Sequence, residues 1–175
     1  MSKASIFPNI IPKVLQDEIE STLLSVKFPW FYLDDITSPT NIQKRQGFQH
    51  TFLHLDFGIN SPWFYFVEEI MSHNTVETLL SAKAFLQIPL YNANKIPDLP
   101  HIDRTIDHNV SVYYVKDSDG ETLLYEGDKI IQRIMPKKGT LITFNGNTMH
   151  SAIQPKTHVR CVINFNYTIE DANEI

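Results

Sequence analysis

The second half of this chain is a run of short alternating segments, each closed by turn residues, and that pattern excludes most architectures. Ala84 to Asn92, Asn109 to Lys116, Thr122 to Glu126, Lys129 to Met135, Thr140 to Phe144 and Val159 to Tyr167 read as strands. Asp117-Ser118-Asp119-Gly120 has the composition of a hairpin turn, and Gly127-Asp128, Lys138-Gly139 and Asn145-Gly146 break the chain again. Many short, evenly spaced strands fill a sandwich or barrel. Helices precede them, so the expectation is a mainly β chain: a double-stranded β-helix, or jelly roll, braced by N-terminal helices. The core is expected over about 82–168 and its helical support over about 1–80, in one domain spanning 1–175.

In the first half, Val14, Leu15, Ile19, Leu23 and Val26 recur at helical spacing, with Lys13, Asp17, Glu18 and Glu20 between them. This predicts a helix over 12–26 with Pro12 in its first turn. Trp30-Phe31-Tyr32 reads as extended, 37–45 as a loop, and Phe48 to Phe57 as a strand or ordered loop. A second helix is expected with Ser61 capping, Pro62 leading and Trp63, Phe66, Val67 and Ile70 on its apolar face. Thr75 to Leu80 fits either a short helix or the approach to a strand.

A chain of 175 residues can bury one substantial core. Its formal charge of -5 argues against a dedicated duplex-DNA binder. Cys161 is the single cysteine, which excludes an internal disulfide or a cysteine-based zinc cluster. Pro8 and Pro12 interrupt the only candidate for a leader, and no run reaches membrane-spanning length. A soluble cytoplasmic protein is expected.

His101-Ile102-Asp103 carries the chemistry. On a strand, residues two apart share a face, so an imidazole and a carboxylate can hold one metal ion together. His150, from a distant strand, would complete a set of two His and one carboxylate, which leaves open positions on a non-haem Fe(II) ion. Arg160 suits a carboxylate, because its planar guanidinium grips one with paired hydrogen bonds. Val162 and Asn164 share its face, whereas Cys161, Ile163 and Phe165 lie on the other.

Residues from about Phe85 to Tyr167 resemble the catalytic domain of the iron- and 2-oxoglutarate-dependent dioxygenases. The prolyl 4-hydroxylase-like subgroup, which includes short versions carried by phages, is the most similar. The resemblance rests on Tyr91 ten residues before His101, then His101-Ile102-Asp103, Val112-Tyr113-Tyr114-Val115 and Asp119-Gly120-Glu121-Thr122. Pro136-Lys137-Lys138-Gly139 with Phe144, His150, and Arg160 ahead of Cys161-Val162-Ile163-Asn164-Phe165 complete it. It implies His101, Asp103 and His150 as iron ligands, Arg160 as partner of the distal 2-oxoglutarate carboxylate, and Tyr91 and Tyr114 as hydrogen-bonding partners of that cosubstrate. The implied cofactors are Fe(II), 2-oxoglutarate and O₂, with ascorbate as an auxiliary reductant. The implied activity is hydroxylation of an unactivated C–H bond in a peptide or protein side chain, a prolyl group first, or in a small molecule. Collagen-type relatives usually carry lysine in place of Arg160, so a collagen-like substrate is not implied. The N-terminal third shows no assignable motif.

Two other readings share the fold: a jelly-roll binding module without chemistry, and a cupin-like metalloenzyme that does not use 2-oxoglutarate. The tripeptide alone decides nothing, because His54-Leu55-Asp56 matches the same pattern. Order favours His101, with Tyr91 before it and His150 and Arg160 after, and assigns His54 and Asp56 to a surface or pocket rim. His108 suits either a hydrogen bond behind the metal or a strand end. His50, His73 and His158 are expected in loops or in solvent. The aromatic residues around Trp30 and Trp63 suit core packing, with the lining of a substrate groove as the alternative, and Cys161 suits a buried inert position.

Overall fold

The strand pattern folds as two antiparallel sheets. The computed structural model describes residues 3–36, 44–90 and 97–169. In the large sheet the order is β1 (Ser5–Phe7), β9 (Leu141–Asn145), β6 (Asn109–Tyr114), β11 (Arg160–Thr168), β5 (Thr78–Gln87), β3 (Gly47–His54) and β2 (Phe31–Leu33), with β4 (Gly58–Ile59) on β3. The small sheet runs β10 (His150–Ala152), β7 (Thr122–Glu126), β8 (Lys129–Ile134). Bridges from Pro97 to Ile153 and from His101 to His150 extend it past β10. Together the sheets make the expected jelly roll.

Alternation along each strand divides the core between two faces. Tyr113, Ala84, Ile163 and Phe165 point outward and pack under helices α1 (Lys13–Leu23) and α2 (Phe64–Met71), against Ile19, Leu23, Phe66 and Ile70. Their neighbours Val110, Val112, Tyr114 and Val162 point inward, toward Leu124 and Ile134 of the small sheet. Helix α1 ends at Leu23, short of the expected Val26. The Leu24 N–H is bonded back to Glu20, and the Trp30 indole N–H donates to the Leu23 carbonyl at 2.8 Å, so that end is satisfied. Pro12 stands just outside the helix, and its carbonyl accepts the Leu15 and Gln16 N–H groups.

Several expectations need correction. Ser61 is not the cap of α2, which begins after Trp63: its hydroxyl accepts the Trp63 N–H at 3.3 Å, ahead of the helix, and meets His50 Nε2 at 2.8 Å. His50 is accordingly not a loop or solvent residue: it lies on β3, buried, with its other ring nitrogen on the Pro29 carbonyl. The segment 117–120 is not a hairpin turn, since β6 and β7 belong to different sheets and it carries the chain between them. The ambiguous stretch 75–80 resolves into the start of β5, which ends at Gln87. Phe28 packs in the core, with Trp30 and Trp63 partly buried against it, but Phe31 and Tyr32 are exposed. Most of the 37–45 loop and all of Tyr91 lie outside the described residues. Among the described residues, no helix is long and apolar enough to cross a membrane.

Candidate metal centre

A two-residue antiparallel bridge brings the distant histidines together. The His101 N–H donates to the His150 carbonyl at 3.0 Å, and the His150 N–H returns the bond at 2.9 Å. This sets the two imidazoles side by side, with ring centroids 4.6 Å apart. Asp103 then reaches both: its Oδ1 lies 3.5 Å from His101 Nε2 and 3.4 Å from His150 Nε2.

The hydrogen bonds behind these groups decide which atoms face the centre. His101 Nδ1 meets the Leu99 carbonyl at 3.2 Å, and His150 Nδ1 meets the Thr148 carbonyl at 3.1 Å. A carbonyl only accepts, so each Nδ1 carries the proton and each Nε2 presents a lone pair in the neutral ring. Asp103 Oδ2 accepts from Asn164 Nδ2 at 3.2 Å and Asn166 Nδ2 at 3.0 Å, which leaves Oδ1 for the centre. Three electron-pair donors thus converge on one point, an arrangement that repels itself until a cation lies between them. Burial pushes the Asp103 carboxyl up, but a proton shared with the facing imidazoles stands where the cation would lie and, with the Asn166 amide, outweighs it, holding the carboxyl far below the usual carboxylate range. Burial likewise disfavours the charged form of His101, yet the adjacent carboxylate raises its pKa. The donor set, its spacing and its outer hydrogen bonds fit a divalent ion of the imidazole-carboxylate type.

The centre opens into a cavity of about 370 Å³ whose far wall carries Arg160. The cross-strand register explains the lining. On the inner face of the large sheet, Gln87 lies opposite Arg160, Phe85 opposite Val162, Lys83 opposite Asn164 and Ser81 opposite Asn166. Arg160 is buried, and its side-chain bonds are to neutral acceptors: Nε to the Gly120 carbonyl at 3.1 Å, Nη1 to Gln87 Oε1 at 3.3 Å and Nη2 to Thr122 Oγ1 at 2.9 Å. No carboxylate lies within salt-bridge distance of it among the described residues, and burial lowers its pKa. Asp98 lines the same cavity, but its Oδ1 is held by Arg45, and burial pushes its carboxyl up. A buried guanidinium without a paired carboxylate is an uncompensated charge, which favours an anion beside it.

Gly120 is part of that wall. A Cβ there would stand 2.7 Å from the Ile153 carbonyl and 2.9 Å from Arg160 Cδ, so only glycine lets the chain pass this close. Asp119 beside it accepts the backbone N–H groups of Lys156, Thr157 and His158, which ties the 117–120 crossover to the approach to β11.

Of the residues singled out from sequence, His101, Asp103, His150 and Arg160 share one cavity. Tyr114 is fully buried one layer behind: its hydroxyl donates to Thr122 Oγ1 at 2.8 Å, and burial pushes its pKa up to about 12. His108 is buried, with Nδ1 on the Ile106 carbonyl, and bonds to none of the three putting donors on the centre. His54 lines a second cavity beyond Asp103, while Asp56 is largely exposed. Sequence reasoning missed Asn166 and Gln87, and gave Thr122 no role beyond its place in the Asp119-Gly120-Glu121-Thr122 segment. Alternation from Arg160 through Val162 and Asn164 runs on to Asn166 and signals that residue, but nothing local signals Gln87.

No protein-family model matches the sequence, and no curated protein matches it. Solved structures do. An oxidoreductase of the 2OG-Fe(II) oxygenase family from Burkholderia pseudomallei superposes with a TM-score of 0.67 at 10% identity, over 94% of this chain and 84% of that one. A prolyl hydroxylase from Trichoplax adhaerens, solved with a hypoxia inducible factor peptide, gives 0.64 at 15% identity, over 95% and 84%. HygX from Streptomyces hygroscopicus, solved with nickel, 2-oxoglutarate and hygromycin B, gives 0.60 at 12% identity, over 95% and 83%. The chain therefore has the fold of the 2OG-Fe(II) oxygenases, prolyl hydroxylases among them.

Proposed function

We propose that this chain is an Fe(II)- and 2-oxoglutarate-dependent dioxygenase that hydroxylates an unactivated C–H bond. The observation that carries the reading is one cavity with His101, Asp103 and His150 at one end and a buried Arg160 without a carboxylate partner at the other. The balance is 2-oxoglutarate, O₂ and a substrate C–H giving succinate, CO₂ and the alcohol. Fe(II), held by His101, Asp103 and His150, supplies the oxidising chemistry once 2-oxoglutarate and O₂ are bound.

The chain's own residues supply orientation. Arg160 grips the distal carboxylate of 2-oxoglutarate, with Gln87 and Thr122 fixing the guanidinium plane. Tyr114 acts through Thr122, and Tyr91 is proposed as a further contact to the cosubstrate. Phe85 and Val162, opposite each other between Arg160 and Asn164, keep the middle of the cavity apolar and limit water there. The fold is seen in complex with a peptide fragment in the Trichoplax enzyme and with hygromycin B in HygX, so the fold alone does not choose between a peptide side chain and a small molecule.

The test is anaerobic titration of the Fe(II)-loaded protein with 2-oxoglutarate, followed by succinate measurement in air. Wild type is expected to develop a visible charge-transfer band and to form succinate only with Fe(II) and O₂. His101→Ala should lose both signals. Arg160→Ala should weaken 2-oxoglutarate binding by about tenfold to a hundredfold, the worth of a charge-assisted hydrogen bond. Succinate formation by His101→Ala at the wild-type rate would sink the proposal, and an unchanged affinity in Arg160→Ala would remove 2-oxoglutarate from it.

A further inference from the structure

We propose that the second cavity, on the side of Asp103 away from Arg160, receives the primary substrate, and that this substrate is a small acid. Its carboxylate pairs with Lys83 and Arg104, while an N–H or O–H beside that carboxylate donates to Asn166 Oδ1. That pattern describes the amino acids and 2-hydroxy acids. The inference rests on the reading of the neighbouring centre as the iron site.

The cavity measures about 330 Å³, small-molecule size, and it shares Phe85, Asp103 and Asn164 with the cavity that holds Arg160. A molecule bound in it therefore lies against a metal ligand. Its walls carry Lys83, Arg104 and His54, with Ser81, Asn164 and Asn166 between them. The acids that could neutralise these cations are otherwise engaged or turned away. Asp103 is committed to the two imidazoles and the two asparagine amides, and Asp56 lies 3.5 Å from His54 Nδ1 with most of its side chain in solvent. Among the described residues neither Lys83 nor Arg104 has a carboxylate within salt-bridge distance, and the one bond Arg104 makes is to the Leu80 carbonyl at 3.2 Å. Lys83 makes no hydrogen bond there, and burial together with the Arg104 charge lowers its pKa. Two like charges, facing one half-enclosed space in which the only carboxylate among the described lining residues is the committed Asp103, disfavour the empty site and favour an anion.

An independent observation comes from the opposite strand. Asn166 is only 6% exposed and lines the cavity. Its amide nitrogen is spent on Asp103 and on Asn164 Oδ1, whereas its Oδ1 is buried without a hydrogen-bond partner. A buried acceptor of this kind costs free energy until a donor arrives. Cations to hold a carboxylate, and an acceptor nearby for a donor, select an acid bearing its own N–H or O–H. A prolyl residue inside a peptide offers neither group.

The test is calorimetric titration of the zinc-loaded protein, with and without 2-oxoglutarate, using the proteinogenic amino acids, lactate and malate as probes, each against its carboxamide. At least one acid is expected to bind about tenfold to a hundredfold more tightly than its carboxamide. Lys83→Met should abolish that preference, and Lys83→Arg should restore most of it. Arg104→Met, from another wall, should also diminish it, and serves as the test if Lys83→Met does not fold. The proposal is overturned if no acid is preferred to its carboxamide, if Lys83→Met keeps the preference, or if a neutral prolyl peptide binds wild type and Lys83→Met alike. Failure of the iron and cosubstrate reading appears separately, as loss of 2-oxoglutarate binding in the same calorimeter while the acids still bind.

Discussion

The two faces of β11 make one strand do two unrelated things. Cys161, Ile163 and Phe165 look outward into the helices, almost wholly buried and entirely apolar. Arg160, Asn164 and Asn166 look inward and carry a guanidinium and two amides to the centre, with Val162 between them. Cys161 illustrates the outward role: burial pushes its thiol pKa well above the ordinary value, so it packs as an unreactive apolar group beside the arginine. A period of two separates stability from chemistry at single-residue resolution. Substitutions one position apart should therefore fail in different ways.

The largest effect should come from the outward face. Phe165→Ala leaves a cavity under the helices and should cost about 3–5 kcal/mol in denaturant unfolding. Metal affinity, measured on the fraction that remains folded, should stay within a factor of about two if the faces are independent. A large loss of metal affinity without loss of stability would break the comparison. On the inward face, Asn164→Ala frees Asp103 Oδ2 from one of its two amide donors and should weaken metal binding by about tenfold or more. Its unfolding midpoint without metal should hardly move, and a drop as large as that of Phe165→Ala would show that the inner face also holds the fold together.

The smallest effect concerns the crossover that leads into β11. Burial alone would raise the Asp119 carboxyl, but the backbone N–H groups of Lys156, His158 and Thr157 hold it at about 2. A depressed carboxylate pKa stabilises the fold above its unfolded value and loses that contribution as pH falls through the folded one. Asp119→Asn should thus cost about 1 kcal/mol at neutral pH, discounted for solvent because part of the side chain is exposed. The gap to wild type should close between about pH 4 and pH 2 in urea melts. A gap that persists unchanged at pH 2 would assign the effect to geometry instead of charge.

Much of this was legible in the sequence, and the rest failed for identifiable reasons. Strand positions follow from alternation, and the choice of His101, Asp103, His150 and Arg160 follows from the order they share with the family the sequence resembles. Partnership does not. The Asp-Ser-Asp-Gly segment has hairpin composition whether the next strand returns to its own sheet or crosses to the other, so local turn chemistry could not tell that β7 leaves β6 behind. His50 and Ser61 each looked like an ordinary polar residue, because their bond spans eleven positions and exists only once β3 passes in front of the start of α2. Lys83 was invisible for the same reason: on a strand with apolar neighbours it reads as a solvated charge until β11 is laid opposite.

The ladder of facing residues on β5 and β11 is also a ruler. Lys83 and the level of Arg160 are separated by four residues along an extended strand, about 13 Å at the usual rise. Two anionic groups held at these marks would be kept at a fixed distance, with His101 and His150 reaching in from the facing sheet. Length discrimination in such a site comes from backbone geometry, which no single side-chain substitution can rescale. A longer or shorter substrate would be accommodated by moving the cation one rung along the strand, in steps of about 7 Å.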